Sequence, residues 1–135
     1  MLKFVVLMGL VVVAASVGCS SSGDCCGGGA APARGVVRHV VLFKFKDSAT
    51  PDQVKSIESK FRDLKSKIPS IVDFEWGTNV SPENHAQGFT HCFMLTFRDA
   101  AGRDAYLPHP AHKEFGAQLG PYLDKVLVVD YVSRD

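Results

Sequence analysis

Between Val36 and Lys46 the chain reads VVRHVVLFKFK. Val37, His39, Val41, Phe43 and Phe45 fall on one side of it, and Arg38, Val40, Leu42, Lys44 and Lys46 on the other. A period of two predicts a β-strand. Both sides of that strand carry apolar residues, so covering one face leaves Val40 and Leu42 on the other still needing a partner surface. Any fold proposed for the chain has to supply two covers.

The following stretch supplies one of them. Thr50-Pro51-Asp52-Gln53 offers a hydroxyl N-cap, a proline in the first turn and a glutamine three residues on, which are the parts of a capping box. The helix it opens at Pro51 carries Val54, Ile57, Phe61, Leu64 and Ile68 at alternating spacings of three and four, a single apolar stripe that ends at Pro69. Ile71 to Val80 predicts a second strand with Val72, Phe74 and Trp76 on one side, closed by the turn chemistry of SPENHAQG. A third strand, in GFTHCFMLTFRD, has Phe89, His91, Phe93, Leu95 and Phe97 on one face and Thr90, Cys92, Met94 and Thr96 on the other. Residues 100 to about 123 are helical but broken at Pro108-His109-Pro110, which predicts two short helices joined by a kink. Lys125 to Val132, KVLVVDYV, is the fourth strand, apolar on both faces.

The order β-α-β-β-α-β defines an α+β chain of the ferredoxin-like type, a four-stranded antiparallel sheet with its helices on one face. The other face is left bare. On strands one, three and four that face is apolar, which marks an interface and predicts a two-fold homodimer whose bare sheets pack into a barrel-like pair.

The N-terminus reads differently from this domain. One cation at Lys3, an apolar run from Phe4 to Val17 and small residues before Cys19 make residues 1–18 a secretory signal peptide, too short for a comfortable transmembrane span. Ser16-Val17-Gly18-Cys19 resembles the lipobox of bacterial lipoproteins, with serine where leucine is usual. The resemblance implies cleavage before Cys19, a diacylglycerol on its thiol, and an exported protein held on a cell membrane or outer membrane by its lipid. Residues 19–35 are rich in serine, glycine, alanine and proline and form a flexible tether. Cys25 and Cys26 lie within it without the companions of a structural zinc site, whereas Cys92 sits in a strand pattern as a small buried hydrophobe. Residues 36–135 are enough for one domain with one core.

A formal net charge of +1 with no basic stripe argues against a nucleic-acid partner. Neither a phosphate-cradling glycine loop nor a GxSxG turn occurs.

The segments HVVLFKFKDSATPDQV, DFEWGTNVSPE, GFTHCFMLTFRD, YLPHPAHKEF and VLVVDYV resemble the stress-responsive A/B barrel (Dabb) domain, across residues 37 to 132. The most specific element is HPAH with a tyrosine upstream and a phenylalanine downstream. The resemblance implies a dimeric α+β barrel but no single activity. Some plant members of that family resemble polyketide cyclases with a pocket between sheet and helices. Carried over by motif, Tyr106 and His112 are the implied acid/base pair, and His39 and His91 the strand histidines implied to line the cavity.

The residues themselves leave alternatives. Histidine with tyrosine suits removal of a proton beside a carbonyl and support of the resulting enolate, yet His112 equally suits one hydrogen bond tying helix to sheet. His109, between two prolines, suits a cap for the next helix. A His109/His112 metal pair lacks a third ligand, so no metal is expected, and no cofactor either, since no axial ligand for haem stands out. His39 and His91 lie early in antiparallel strands, which places them at opposite ends unless the register is staggered. His91 is the one assigned first to the pocket, with His39 second. Phe89, Phe93, Phe97 and Phe115 are core, His85 is solvated, and Trp76 is core or interface. Three functions follow: a dimer binding a small apolar or aromatic molecule, a cyclase- or lyase-like enzyme with His112 as base, or a structural dimer with a filled core.

Overall fold

In the computed structural model, which describes residues 35–134, the alternating stretch is β1, Val37–Phe45, with α1, Pro51–Lys67, following it. Next come β2, Ile71–Thr78, and β3, His91–Phe97. The helical region splits into α2, Ala100–Tyr106, and α3, Pro110–Leu119, before β4, Leu123–Val132. The strands form one four-stranded antiparallel sheet in the order β2-β3-β1-β4. This is the ferredoxin-like arrangement. The leader and residues 19–34 of the tether, with Cys19, Cys25 and Cys26, lie outside the described residues.

β1 is central, bonded to β3 on one side and β4 on the other. Cross-strand partners share a face, so its inner residues Val37, His39, Val41 and Phe43 set the inner faces of both neighbours. Phe93, Leu95 and Phe97 of β3 face the helices and are fully buried. They meet Ile57, Phe61, Leu64 and Ile68, the predicted stripe of α1. Phe61 is the hub, its ring stacked on Phe43 and Phe115 and tilted against Phe93. The capping box is complete: Gln53 N–H donates to Thr50 Oγ1, and Thr50 N–H to Gln53 Oε1.

Four expectations need correction. Cys92 is exposed, because its position on β3 pairs with Leu42 on the outer sheet face and not with the helix-covered side. In β2 it is Ile71 that enters the core, whereas Val72 is exposed. The register shifts between Ile71 and Asp73, so Val72 is the extra residue of a bulge, and only beyond it do Phe74 and Trp76 pair with Leu95 and Phe93 on the inner side. β3 starts at His91, leaving Phe89 in the preceding loop, where its N–H donates to Ala86 O. β4 starts at Leu123, two residues early, because a shift between Lys44 and Phe45 lets Phe45 pair with Leu123.

The outer sheet face carries half-buried Val40, Leu42 and Met94 beside Leu127, Val129 and Tyr131 of β4, each close to half exposed. No helix covers it. Replacing Phe93, which has no exposed surface, is expected to show where the stability resides: Phe93→Ala should lose about 3–5 kcal/mol in urea unfolding followed by circular dichroism.

Candidate functional site

The proline-bracketed kink builds the site. α2 stops at Tyr106 with Leu107 as its cap, and Pro110 opens α3 in its first turn, where a missing N–H costs nothing. His109 is the N-cap, its Nδ1 accepting from Ala111 N–H at 3.2 Å. The chain therefore doubles back within a few residues, and His112 returns over the end of α2. Its Nδ1–H donates to the orphan carbonyl of Leu107 at 3.0 Å. That bond ties helix to helix, not helix to sheet, and in the neutral ring it leaves Nε2 with a lone pair. The rings of Tyr106 and His112 lie 4.2 Å apart, centre to centre.

Tyr106 is fully buried, and among the described residues its hydroxyl has no hydrogen-bond partner. Burial, with the negative charge of Asp130 adding to it, pushes that hydroxyl far above its ordinary value, so it is a donor and not a phenolate. Tyr106, His112 and His39 line one side of a cavity of about 340 Å³ between the sheet and α3. The remaining wall is apolar, including Phe43, Phe61, Phe115 and Leu119. Such a volume falls within the roughly 300–1,000 Å³ of small-molecule sites.

Of the two strand histidines, His39 is the one in this cavity. Phe43 pairs with His91 and Leu95 with His39, so the histidines stand four residues apart along the sheet, roughly 13 Å. His91 instead faces Glu58, its Nε2 3.0 Å from Oε1, with Nδ1 2.8 Å from Thr90 Oγ1, and it borders a separate cavity near the 79–90 loop. Both its nitrogens are engaged there. The order expected from sequence, His91 first and His39 second, is thus reversed by register.

His39 brings partners that the sequence reading did not single out. Its Nδ1 is 2.6 Å from Asp130 Oδ1, directly across on β4, and Arg103 of α2 bonds the other oxygen of that carboxylate as well as Asp104. Burial pushes the Asp130 carboxyl up, but the hydrogen bonds from His39 and Arg103, with their electrostatic pull, outweigh it and hold the group below its ordinary value. An ionised carboxylate only accepts, so His39 carries its proton on Nδ1 and turns Nε2 into the acceptor of the neutral ring. A lone acid in the apolar run KVLVVDYV was the available signal for Asp130. Arg103 and Glu58 gave none, since their roles exist only across the fold.

The chain belongs to the stress responsive A/B barrel domain family, whose model matches residues 37–133. It is similar to the stress-response A/B barrel domain-containing protein HS1 of Arabidopsis thaliana, at 41% identity over 73% of this chain and 91% of that protein. It is 34% identical to olivetolic acid cyclase of Cannabis sativa, over 73% and 97% of the two chains. Among solved structures, the hydroxynitrile lyase of Passiflora edulis aligns with a TM-score of 0.72 and 28% identity, over 76% of this chain and 97% of that one. A dimeric ferredoxin-like protein of unknown function from Thermobifida fusca aligns at 0.63 and 25%, over 73% and 92%. Dimeric neighbours of this kind support a homodimer here.

Asp130 also makes a prediction about acid. Because folding lowers its pKa, its two bonds stabilise the native state above the ordinary value of 3.8, and that contribution is lost as pH falls through the lower native value. The wild type should therefore exceed Asp130→Asn in urea midpoint at neutral pH, with the gap narrowing as pH drops below 3.8.

Proposed function

We propose that the domain is a homodimer that binds, in the cavity of each chain, a small and mostly apolar molecule bearing an acceptor oxygen, such as a phenol or ketone. One observation carries this reading: a buried tyrosine hydroxyl without a partner, beside His112, in an otherwise apolar cavity. An unpaired buried hydroxyl costs about 1–3 kcal/mol. A ligand oxygen accepting from Tyr106 relieves that cost, His112 Nε2 accepts from a ligand hydroxyl, and Phe43, Phe61 and Phe115 hold the flat apolar part.

A second reading rests on the tautomer of His112. With Nδ1–H committed to Leu107 O, Nε2 is placed to take a proton from the carbon beside a carbonyl while Tyr106 donates to the enolate oxygen that forms. The imidazolium so produced keeps its bond to Leu107 O. The likeness to a cyclase and a lyase supports acid–base chemistry of this class.

The test uses 2-naphthol as probe with the purified protein in isothermal titration. Tyr106→Phe and His112→Ala should each weaken binding by roughly five- to ten-fold, about one hydrogen bond, with the circular dichroism unchanged. Undiminished binding in both variants would remove the cavity as the binding site. If the site is catalytic, His112→Ala should lower turnover of a substrate by roughly 10²–10⁴-fold.

For the N-terminal part, we propose export and a lipid anchor on Cys19, supported by the charged start, the apolar run and the lipobox-like Ser16-Val17-Gly18-Cys19. In a bacterial host, the wild type should partition into the detergent phase of Triton X-114 and incorporate labelled palmitate. Cys19→Ala should do neither.

A further inference from the structure

β4 has more apolar surface than a dimer of bare sheets can cover. Its residues alternate by face: Leu127, Val129 and Tyr131 pair with Leu42, Val40 and Arg38 on the outer side, whereas Val126 and Val128 pair with Phe43 and Val41 on the inner, helix-bearing side. Packing of two bare faces buries the first set only. Yet Val126 and Val128 are 50% and 48% exposed: α1 and α2 lie mainly over β2, β3 and β1, and among the described residues α3 faces this part of β4 only across the open cavity. These two valines are wall residues of the Tyr106–His112 cavity, and Leu107, 43% exposed, stands at the same opening. The ten-residue strand is also the sheet edge, and among the described residues no further strand pairs with its outward N–H and C=O groups. A long apolar edge of this kind is normally covered.

One occupant fits all three features. The outer face of β4 is continuous with the bare sheet face, dimeric neighbours support a second copy against that face, and the edge and inner valines follow it without a break. We propose that the second copy reaches past the bare face and over the free edge of β4, where it supplies the missing wall of the Tyr106–His112 cavity. Each site is then complete only in the dimer, and ligand binding and dimerisation are coupled, because closing the opening raises the area a bound molecule buries. The coupling to ligand rests on the binding reading given above; the shape of the cavity does not.

Two readouts separate them. The first is the rate at which the thiol introduced by Val128→Cys in the full chain reacts with maleimide, followed peptide by peptide so that native cysteines do not interfere. It is measured in the dimer and in monomer obtained by dilution or by Leu127→Asp, a change on the outer face and outside the chain's own core, with fold checked by circular dichroism and association state by sedimentation. Reaction in the dimer should be slower by roughly ten-fold or more. Equal rates in dimer and monomer overturn the proposal, as does a wild type that is monomeric at every concentration. The second readout is 2-naphthol affinity, which should fall by roughly ten-fold in the folded Leu127→Asp monomer. Loss of thiol protection with naphthol binding and its His112 dependence intact sinks the shared wall alone. Protection without naphthol binding to the wild type upholds the shared wall and sinks the binding reading.

Discussion

Everything in this fold is registered against β1. As an interior strand it pairs with β3 on one edge and β4 on the other, and its parity decides which side chains of both face the helices. Val41 and Phe43 anchor the aromatic core with Phe61 and Phe93, and His39, two residues upstream on the same face, is thereby carried into the cavity. Shifting β1 by one residue would put Arg38 and Lys44 into the core. One strand thus fixes both the packed core and the histidine that lines the cavity.

The second determinant is local. A tyrosine and a histidine six residues apart would diverge on a continuous helix. Pro108 and Pro110 stop α2 and restart α3, and the return brings the two rings together over Leu107. His109 and His112 have divided the work: the first caps α3, and the second uses one nitrogen on α2 and keeps the other for the cavity. Pairing them on a metal through Nε2 would cost the cap of α3, because the His109 ring would then carry its proton on Nδ1 and could not accept from Ala111 N–H.

Most of the architecture was legible because it rests on periodicity and caps, which are local. The α1 stripe, the Thr50–Gln53 box and the proline break can be read within a dozen residues or fewer. What was not legible depends on register. Val72 and Ile71 exchanged roles because of a single bulge that no nearby residue announces. His39 and His91 have similar surroundings in sequence and opposite fates in space, since antiparallel pairing sends one to Asp130 and the other to Glu58. Arg103 reads as an ordinary helix-surface cation until α2 is laid over the sheet, where it becomes the second clamp on Asp130. The family resemblance implied which residue types to look for, but the distances that separate a cavity residue from a strut come from the fold.

The unsatisfied hydroxyl of Tyr106 has a consequence for the life of the protein as well as for recognition. Phenylalanine would fill the same volume without the desolvation cost, so tyrosine makes the empty chain less stable than its own packing allows. A molecule that meets the hydroxyl binds the native state and not the unfolded one, and its free energy adds to that of folding. In the binding reading proposed above, occupancy would lengthen the time the chain survives unfolding and proteolysis, so that its abundance would follow the supply of ligand.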